Sequence, residues 1–251
     1  MFFKEWIESE PETYDDNCNI LKFKEISNAR EEIYEKLIKT VINHYTNPKR
    51  VQNYLNDEKF SRLEKYINDR FPSVSNHEKG DFGEIFGTEH LKQLHNYTFP
   101  ILKLRHKLKN NRSLEGEDIL GFYIEDDNII GICIGESKVR SGSGSGVIDD
   151  AINQLEKSYN PHPVLINFYS ERVYEFNEEL GEKIEDLKKQ SVFNQIIKEN
   201  YIFYITDFKP KKFKIRQHGL DNLTLINMYF EDLSEFIHSL FEDCRGYYHE
   251  K

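Results

Sequence analysis

The sequence holds three cysteines, Cys18, Cys133 and Cys244, and they lie far apart along the chain. With no Cys-x-x-Cys pair, neither a thiolate zinc site nor a disulfide framework organises the fold. Long apolar runs are also missing. The longest, Ile129 to Gly135, is about seven residues, far below the roughly 20 needed to span a bilayer as a helix. The opening residues, Met1 to Glu12, are acidic and lack the basic-then-apolar order of a signal peptide. A cytoplasmic protein with no membrane association is expected. Positive charge is in deficit, with 34 Lys and Arg against 44 Asp and Glu. That argues against a surface coated for nucleic acid. No internal repeat is visible, and the only low-complexity piece is the Ser/Gly run after Arg140.

What the chain does have is core material. Its 251 residues include 18 Phe and 15 Tyr, and 38% of them are hydrophobic. This is enough for one large domain, or a core domain with a helical extension. The bases are unevenly spread. Lys103, Arg105, Lys107, Lys109 and Arg112 face one acid, Glu115, and Lys209, Lys211, Lys212, Lys214 and Arg216 face none. Local patches of this kind bind phosphate, whereas total charge sets only background repulsion. Each patch reads equally well as a solvated face.

Residues 21–70 read as helical, with Ile33, Leu37, Val41 and Tyr45 four apart on one face. A polar break, "SVSNHEKGD", marks the best internal boundary and separates an N-terminal helical region (1–76) from the rest (77–251). A helix is expected from Asp81 to about Tyr97, and a strand in "FPILKLRHKL". Next comes a hairpin turning at Asp126-Asp127-Asn128, then a helix over Val147–Tyr159, with Asp149 and Asp150 in its favourable first turn. "PVLINFYS" reads as a strand and residues 171–199 as mostly helical. "YIFYITDF" and "LTLINMYF" read as further strands, and "EDLSEFIHSLFEDC" as a closing helix.

The hairpin carries the chemistry. Strand side chains alternate, so Ile130, Ile132 and Ile134 share a face that continues into Glu136 and Lys138. On the first strand Leu120, Phe122 and Ile124 form the matching face, which Asp118 continues. Pairing large residues with large ones requires a register in which paired numbers sum to 254, with a three-residue loop or a compensating bulge. Asp118 then falls opposite Glu136, with Ser137 on the other face. Two carboxylates held together repel unless a cation sits between them, and their oxygens suit Mg²⁺ or Mn²⁺. Lys138 adds a positive charge at the same edge. A frayed hairpin end with a solvated Glu–Lys pair is the plainer reading of so short a pattern.

Asp118 and Glu136-Ser137-Lys138, with an acid-bearing helix before them and an amphipathic helix after them, resemble the PD-(D/E)xK nuclease core. Its restriction-endonuclease-like αβββαβ mixed sheet flanked by helices matches the order read above. Glu117-Asp118 stands where the motif's name has Pro-Asp. "GDFGEIFGTEHL", "GEDILGFYIED" and "GESKVRSG" together resemble the nuclease subunit of Hachiman anti-phage defence systems, over roughly residues 78–170. The resemblance implies that Glu84 is a third metal carboxylate, with Gly83 and Gly87 letting its helix approach the sheet. Read from the residues alone, Glu84 is equally the closing acid of a capping box begun by Asp81, and Glu89 competes for the metal role. In some relatives a Gln at the position of Gln154 supports the site or touches DNA; an ordinary surface amide is the alternative.

Gly142-Ser143-Gly144-Ser145-Gly146 lacks the spacing of a dinucleotide-binding turn and the Lys of a phosphate-binding loop. A mobile loop beside the active edge is simpler. The expectation is a Mg²⁺- or Mn²⁺-dependent DNA nuclease with Asp118, Glu136 and Glu84 on the metal and Lys138 beside the attacked phosphate. Lys103, Arg105, Lys107 and Arg112 are the candidates for backbone contacts, making cleavage largely sequence-independent. The resemblance implies a partner helicase that restrains or delivers the nuclease. The rival is a non-catalytic adaptor of the same fold that binds DNA or the helicase.

Overall fold

The computed structural model describes residues 2–10, 13–107, 109–112, 114–142, 146–159, 163–209 and 213–248. The chain opens with a short helix, α1 (Phe3–Trp6), and three strands, β1 (Ile7–Ser9), β2 (Thr13–Asp15) and β3 (Cys18–Glu25). Helices α2 (Ala29–Tyr45), α3 (Pro48–Asn56), α4 (Phe60–Asn68) and α5 (Ser75–Leu94) follow, then a 3₁₀ turn over Lys103–His106. The hairpin is β4 (Ile119–Glu125) with β5 (Asn128–Arg140), and α6 (Val147–Ser158) leaves it. The remainder is α7 (Leu165–Tyr174), α8 (Glu178–Asp186), α9 (Gln190–Phe193), β6 (Ile197–Thr206), β7 (Leu223–Tyr229) and α10 (Leu233–Gly246).

The strands form one seven-stranded mixed sheet in the order β1-β3-β7-β6-β5-β4, with β2 also paired to β3. The centre, β3, β7, β6 and β5, is parallel, and the outer pairings are antiparallel. Parallel strands covered on both faces read as unbroken apolar runs. In β6, every residue from Asn200 to Thr206 is buried. On one face α2, α4, α5 and α10 pack over Ile119, Phe203 and Ile205. On the other, α6 and α7 pack over Leu120, Phe122, Ile132 and Ile202. The expected α/β plan, a mixed sheet between helices, is present. No described helix is long and apolar enough to cross a membrane.

Helix α5 lies against the sheet because two of its residues have no side chain. A Cβ at Gly83 would meet Ser137 Oγ at 2.8 Å and Val139 Cγ2 at 2.9 Å. One at Gly87 would meet Phe203 Cδ2 at 2.8 Å and fall on the end of Ile119. Overpacking of this kind costs about 1–3 kcal/mol. Gly87→Ala is therefore expected to lower the urea midpoint by that amount; an unchanged midpoint would show that Gly87 does not set the helix–sheet distance.

Several expected elements differ. Residues 21–25 are not helical: they complete β3, whose side chains alternate between the two faces. Strands β1, β2 and β3 thus enter the same sheet as the hairpin, and the 76/77 position falls inside α5, which shares an apolar core with α1 and α2. The polar stretch before Asp81 is the first two turns of α5, which starts at Ser75. Asp81 and Glu84 are therefore mid-helix, and the capping-box reading falls. "FPILKLRHKL" makes a single bridge, Thr98 with Phe122, and then the 3₁₀ turn. Pro100 offers no donor for a longer ladder. "PVLINFYS" is largely α7, with Leu165, Ile166, Tyr169, Ser170 and Val173 buried at helical spacing. A short apolar run does not distinguish a strand from a buried helix.

The hairpin register sums to 254 from Ile119↔Gly135 to Tyr123↔Gly131, as the apolar parity requires. The loop is shorter than expected. Ile124 pairs with Ile129 and Glu125 with Asn128, leaving Ile130 as a bulge. The turn is Asp126-Asp127, both left-handed at φ 46° and 61°, the conformation that a two-residue hairpin turn needs.

Candidate active site

Glu136 extends the Ile132–Ile134 face of β5 and is buried. Two residues on, Lys138 donates from Nζ to Glu136 Oε1 at 2.8 Å and to Gln154 Oε1 of α6 at 2.6 Å. Strand alternation thus sets the ammonium beside the carboxylate, and α6 steadies it. Gln154 thus has a partner on β5.

Asp118 lies one residue before β4. The ladder stops at Ile119↔Gly135, so Glu117 and Ser137 do not pair through the main chain. Their groups are met differently. Asp118 Oδ2 accepts from both Ser137 N and Ser137 Oγ at 2.9 Å. The Glu117 carbonyl accepts from Lys103 Nζ at 2.8 Å. The expectation that Ser137 points away from the acids is corrected: it anchors Asp118. The Glu117 carboxylate turns the other way and accepts from Val164 N and Leu165 N at 3.1 Å each, at the start of α7. An acid at a helix N-terminus satisfies orphan donors and the dipole.

Glu84 of α5 is tied to the start of the hairpin by Lys103, whose Nζ lies 3.0 Å from Glu84 Oε2 and 3.3 Å from the Asp118 carbonyl. Glu89, the competing acid, binds His44 Nε2 at 3.1 Å and Gln93 Nε2 at 2.8 Å further along the helix. Glu84 and not Glu89 therefore joins Asp118 and Glu136. The expectation that one ion reaches all three acids is not met as drawn: their ligand atoms do not all lie within 4.8 Å of one another, and Lys103 occupies Glu84. The described group of three acidic or imidazole side chains whose ligand atoms lie within 4.8 Å of one another is elsewhere: Glu78, His238 and Glu242. There Arg245 already pairs with both acids.

Charges in the cluster press on one another. Burial, together with the charges of Asp118 and Asp81, pushes Glu84 up to about 7 against the pull of Lys103. Burial and the Asp118 charge push Glu136 up to about 7 against the pull of Lys138. Lys103 is opposed by burial but held high by Glu84, Asp118 and Glu136. Crowded, dehydrated carboxylate oxygens that resist ionisation are the donor set that a hard divalent cation relieves. In donor chemistry, though not in spacing, the three carboxylates suit Mg²⁺ or Mn²⁺.

The raised carboxyls also have a stability consequence. A carboxyl whose folded pKa is raised keeps its proton longer in the folded chain than in the unfolded one. Its contribution is full below the ordinary value of 4.5 and is lost as pH rises through about 7. In chelator-treated protein, Glu84→Gln is expected to remove about 1–3 kcal/mol of that loss between pH 5 and 8. Parallel stability–pH curves for the variant and its parent would contradict it.

The basic run is not a phosphate-facing strand. Lys103 is buried in the acid cluster, and Lys107 is buried against Asp81, with Nζ 2.5 Å from Oδ1. Both were expected to contact DNA and both point inward, because each neutralises a buried acid of α5. Arg105 is half-buried, with Nε donating to the Asn43 carbonyl at 2.8 Å. Arg112 is exposed. In the second run, Arg216 pairs with Glu156 at 2.6 Å, and Lys211 and Lys212 lie outside the described residues, as do residues 143–145 of the Ser/Gly run. Two participants escaped the sequence reading: Lys103 as the cluster's internal cation, and Ser137 as the anchor of Asp118. For Ser137 the signal was there, in the middle position of Glu136-Ser137-Lys138.

Comparison with known proteins adds two findings. The family model described as HamA matches residues 1–244. A curated relative, the Hachiman protein HamA of Bacillus cereus, is 27% identical over 175 residues, covering 68% of this chain and 62% of that relative. The match thus spans less than two thirds of the relative's own length.

Proposed function

The chain belongs to the HamA family, and from that premise we propose that it is a metal-dependent DNA nuclease of the PD-(D/E)xK type, serving as effector of a Hachiman anti-phage system under control of a partner helicase. The observation that carries the reading is the set of contacts that ties helix and hairpin together at one rim: Lys103 on Glu84 and the Asp118 carbonyl, Ser137 on the Asp118 carboxylate, and Lys138 on Glu136.

Glu84, Asp118 and Glu136 would hold Mg²⁺ or Mn²⁺. When bound, the ion polarises a phosphoryl oxygen and lowers the pKa of a coordinated water. The protein's own residues do the rest. Ser137 fixes the Asp118 carboxylate through two hydrogen bonds. Gln154 and Glu136 hold Lys138 Nζ at the rim, where the ammonium orients the attacking water or offsets charge growing on the phosphate. Lys103 offsets part of the acid charge from within.

A second reading has its own observation in Lys103. An ammonium already seated among the acids suits a site neutralised for binding without cutting, as in an adaptor. Incubating the purified chain with linear DNA and Mg²⁺, with and without chelator, separates the two. Metal-dependent strand cleavage is expected. Intact DNA at every metal concentration, both alone and with the helicase present, would leave the adaptor.

A further inference from the structure

A groove of about 700 Å³ is lined by residues of α2–α4, the 3₁₀ turn and the end of α7. The 3₁₀ turn links it to the acid cluster: Lys103 reaches into the cluster, while Arg105 and His106 line the groove. Arg50, Arg70 and Arg172 also line it, against one acid, Glu175, which is spent on Arg172 at 2.8 Å. Beyond Arg50 and Arg70 the lining continues to Lys109 with one further acid, Asp69.

The cations are held in place. The Arg50 and Arg70 guanidinium carbons lie 4.3 and 4.8 Å from the Tyr66 ring centroid. Arg70 also donates to the Arg105 carbonyl at 2.9 Å. Stacking fixes the fork of donors with little further entropy to lose. Phe176, at 63% exposure among the most exposed large apolar side chains described, stands at the same groove. In a chain of net charge −10, a concave concentration of arginines beside an exposed ring matches a backbone of phosphates carrying flat bases. A ring stacks only on bases that are not paired inside a duplex, so the exposed Phe176 favours a single strand.

We propose that this groove is the track for a single DNA strand, with phosphates on Arg50, Arg70, Arg105 and Arg172 and a base against Phe176, leading a phosphate to the acid cluster. The choice of DNA as the polyanion rests on the nuclease reading.

The test measures binding apart from cutting. The 251-residue chain carrying Glu136→Gln is titrated, over a range of salt, with a short fluorescent single strand and with the matching duplex. Arg50→Ala with Arg172→Ala on that background is expected to weaken single-strand binding at least tenfold. It should also lower the log–log salt slope by about 1.4, two phosphate contacts' worth. Phe176→Ala should weaken binding about tenfold and leave the slope unchanged. Unchanged affinity and slope in the double variant, tighter binding of duplex than of single strand, or no binding by the parent would each overturn the groove. Cleavage by the native chain is scored separately. DNA that is cut although the double variant binds unchanged removes the groove and leaves the nuclease reading. Groove-dependent binding with no cleavage does the reverse.

Discussion

Glu136→Ala and Lys138→Ala are each expected to lower metal-dependent DNA cleavage by about 10²–10³-fold or more, with the fold intact. Each removes one member of a short chain of contacts, Glu136 to Lys138 to Gln154. Without Glu136 the ion loses a carboxylate from the rim of β5. Without Lys138 the water or the phosphate loses its ammonium. The two losses act on one event, so the double variant should be little worse than either single one. Stability should hold: Glu136 is a strained acid whose ionisation burial opposes, and Lys138 is part-exposed. The measurement is single-turnover cleavage across a Mg²⁺ titration, with melting followed in parallel. Near-native turnover by both variants would remove these residues from the chemistry.

Lys107→Ala is expected to cost about 3–5 kcal/mol of folding stability, the usual result of stripping one partner from a buried ion pair. Lys107 lies across Asp81, whose other contact is the hydroxyl of buried Tyr45. Burial already raises the Asp81 pKa against the Lys107 charge, so the unpaired acid would take up a proton or admit water at the α2–α5 contact. Restoring neutrality with Asp81→Asn in the same chain should recover most of the loss. Arg112→Ala, from the same basic run but exposed, should stay within about 0.5 kcal/mol of the parent. Urea unfolding of these variants decides it, and a loss below about 1 kcal/mol for Lys107→Ala would mean that the pair is not buried in solution.

The contrast between Lys107 and Arg112 shows what was legible in the sequence. Parity along β4 and β5 is a property of the backbone, so the 254 register followed from a row of isoleucines; the Asp118 carboxylate, placed opposite Glu136 by that register, is held by Ser137. The bulge at Ile130 did not, because a bulge and an odd loop satisfy the same parity. The direction of a lysine is set by what lies across from it. Lys103 and Lys107 are taken by Glu84 and Asp81 from α5, some 20 residues upstream in sequence, and nothing local distinguishes them from solvated bases. The groove arginines come from α3, the turn after α4, the 3₁₀ turn and α7, so no stretch of sequence carried the patch. β3 was missed because its alternating Lys and apolar residues adjoin a strong helical pattern.

β3 also sets a clock on the molecule. Its parallel partner is β7, with Lys24 opposite Tyr229, and about two hundred residues of chain must be made between them. At 5–20 residues per second a ribosome needs about 10–40 s for that stretch. Throughout this interval the first strand has no parallel neighbour. Glu84, Asp118, Glu136 and Lys138 have all been translated while β6 still awaits β7. A nascent chain thus carries every acid of the site before it has the sheet that gathers them, and a chain interrupted before β7 is left with an open strand edge.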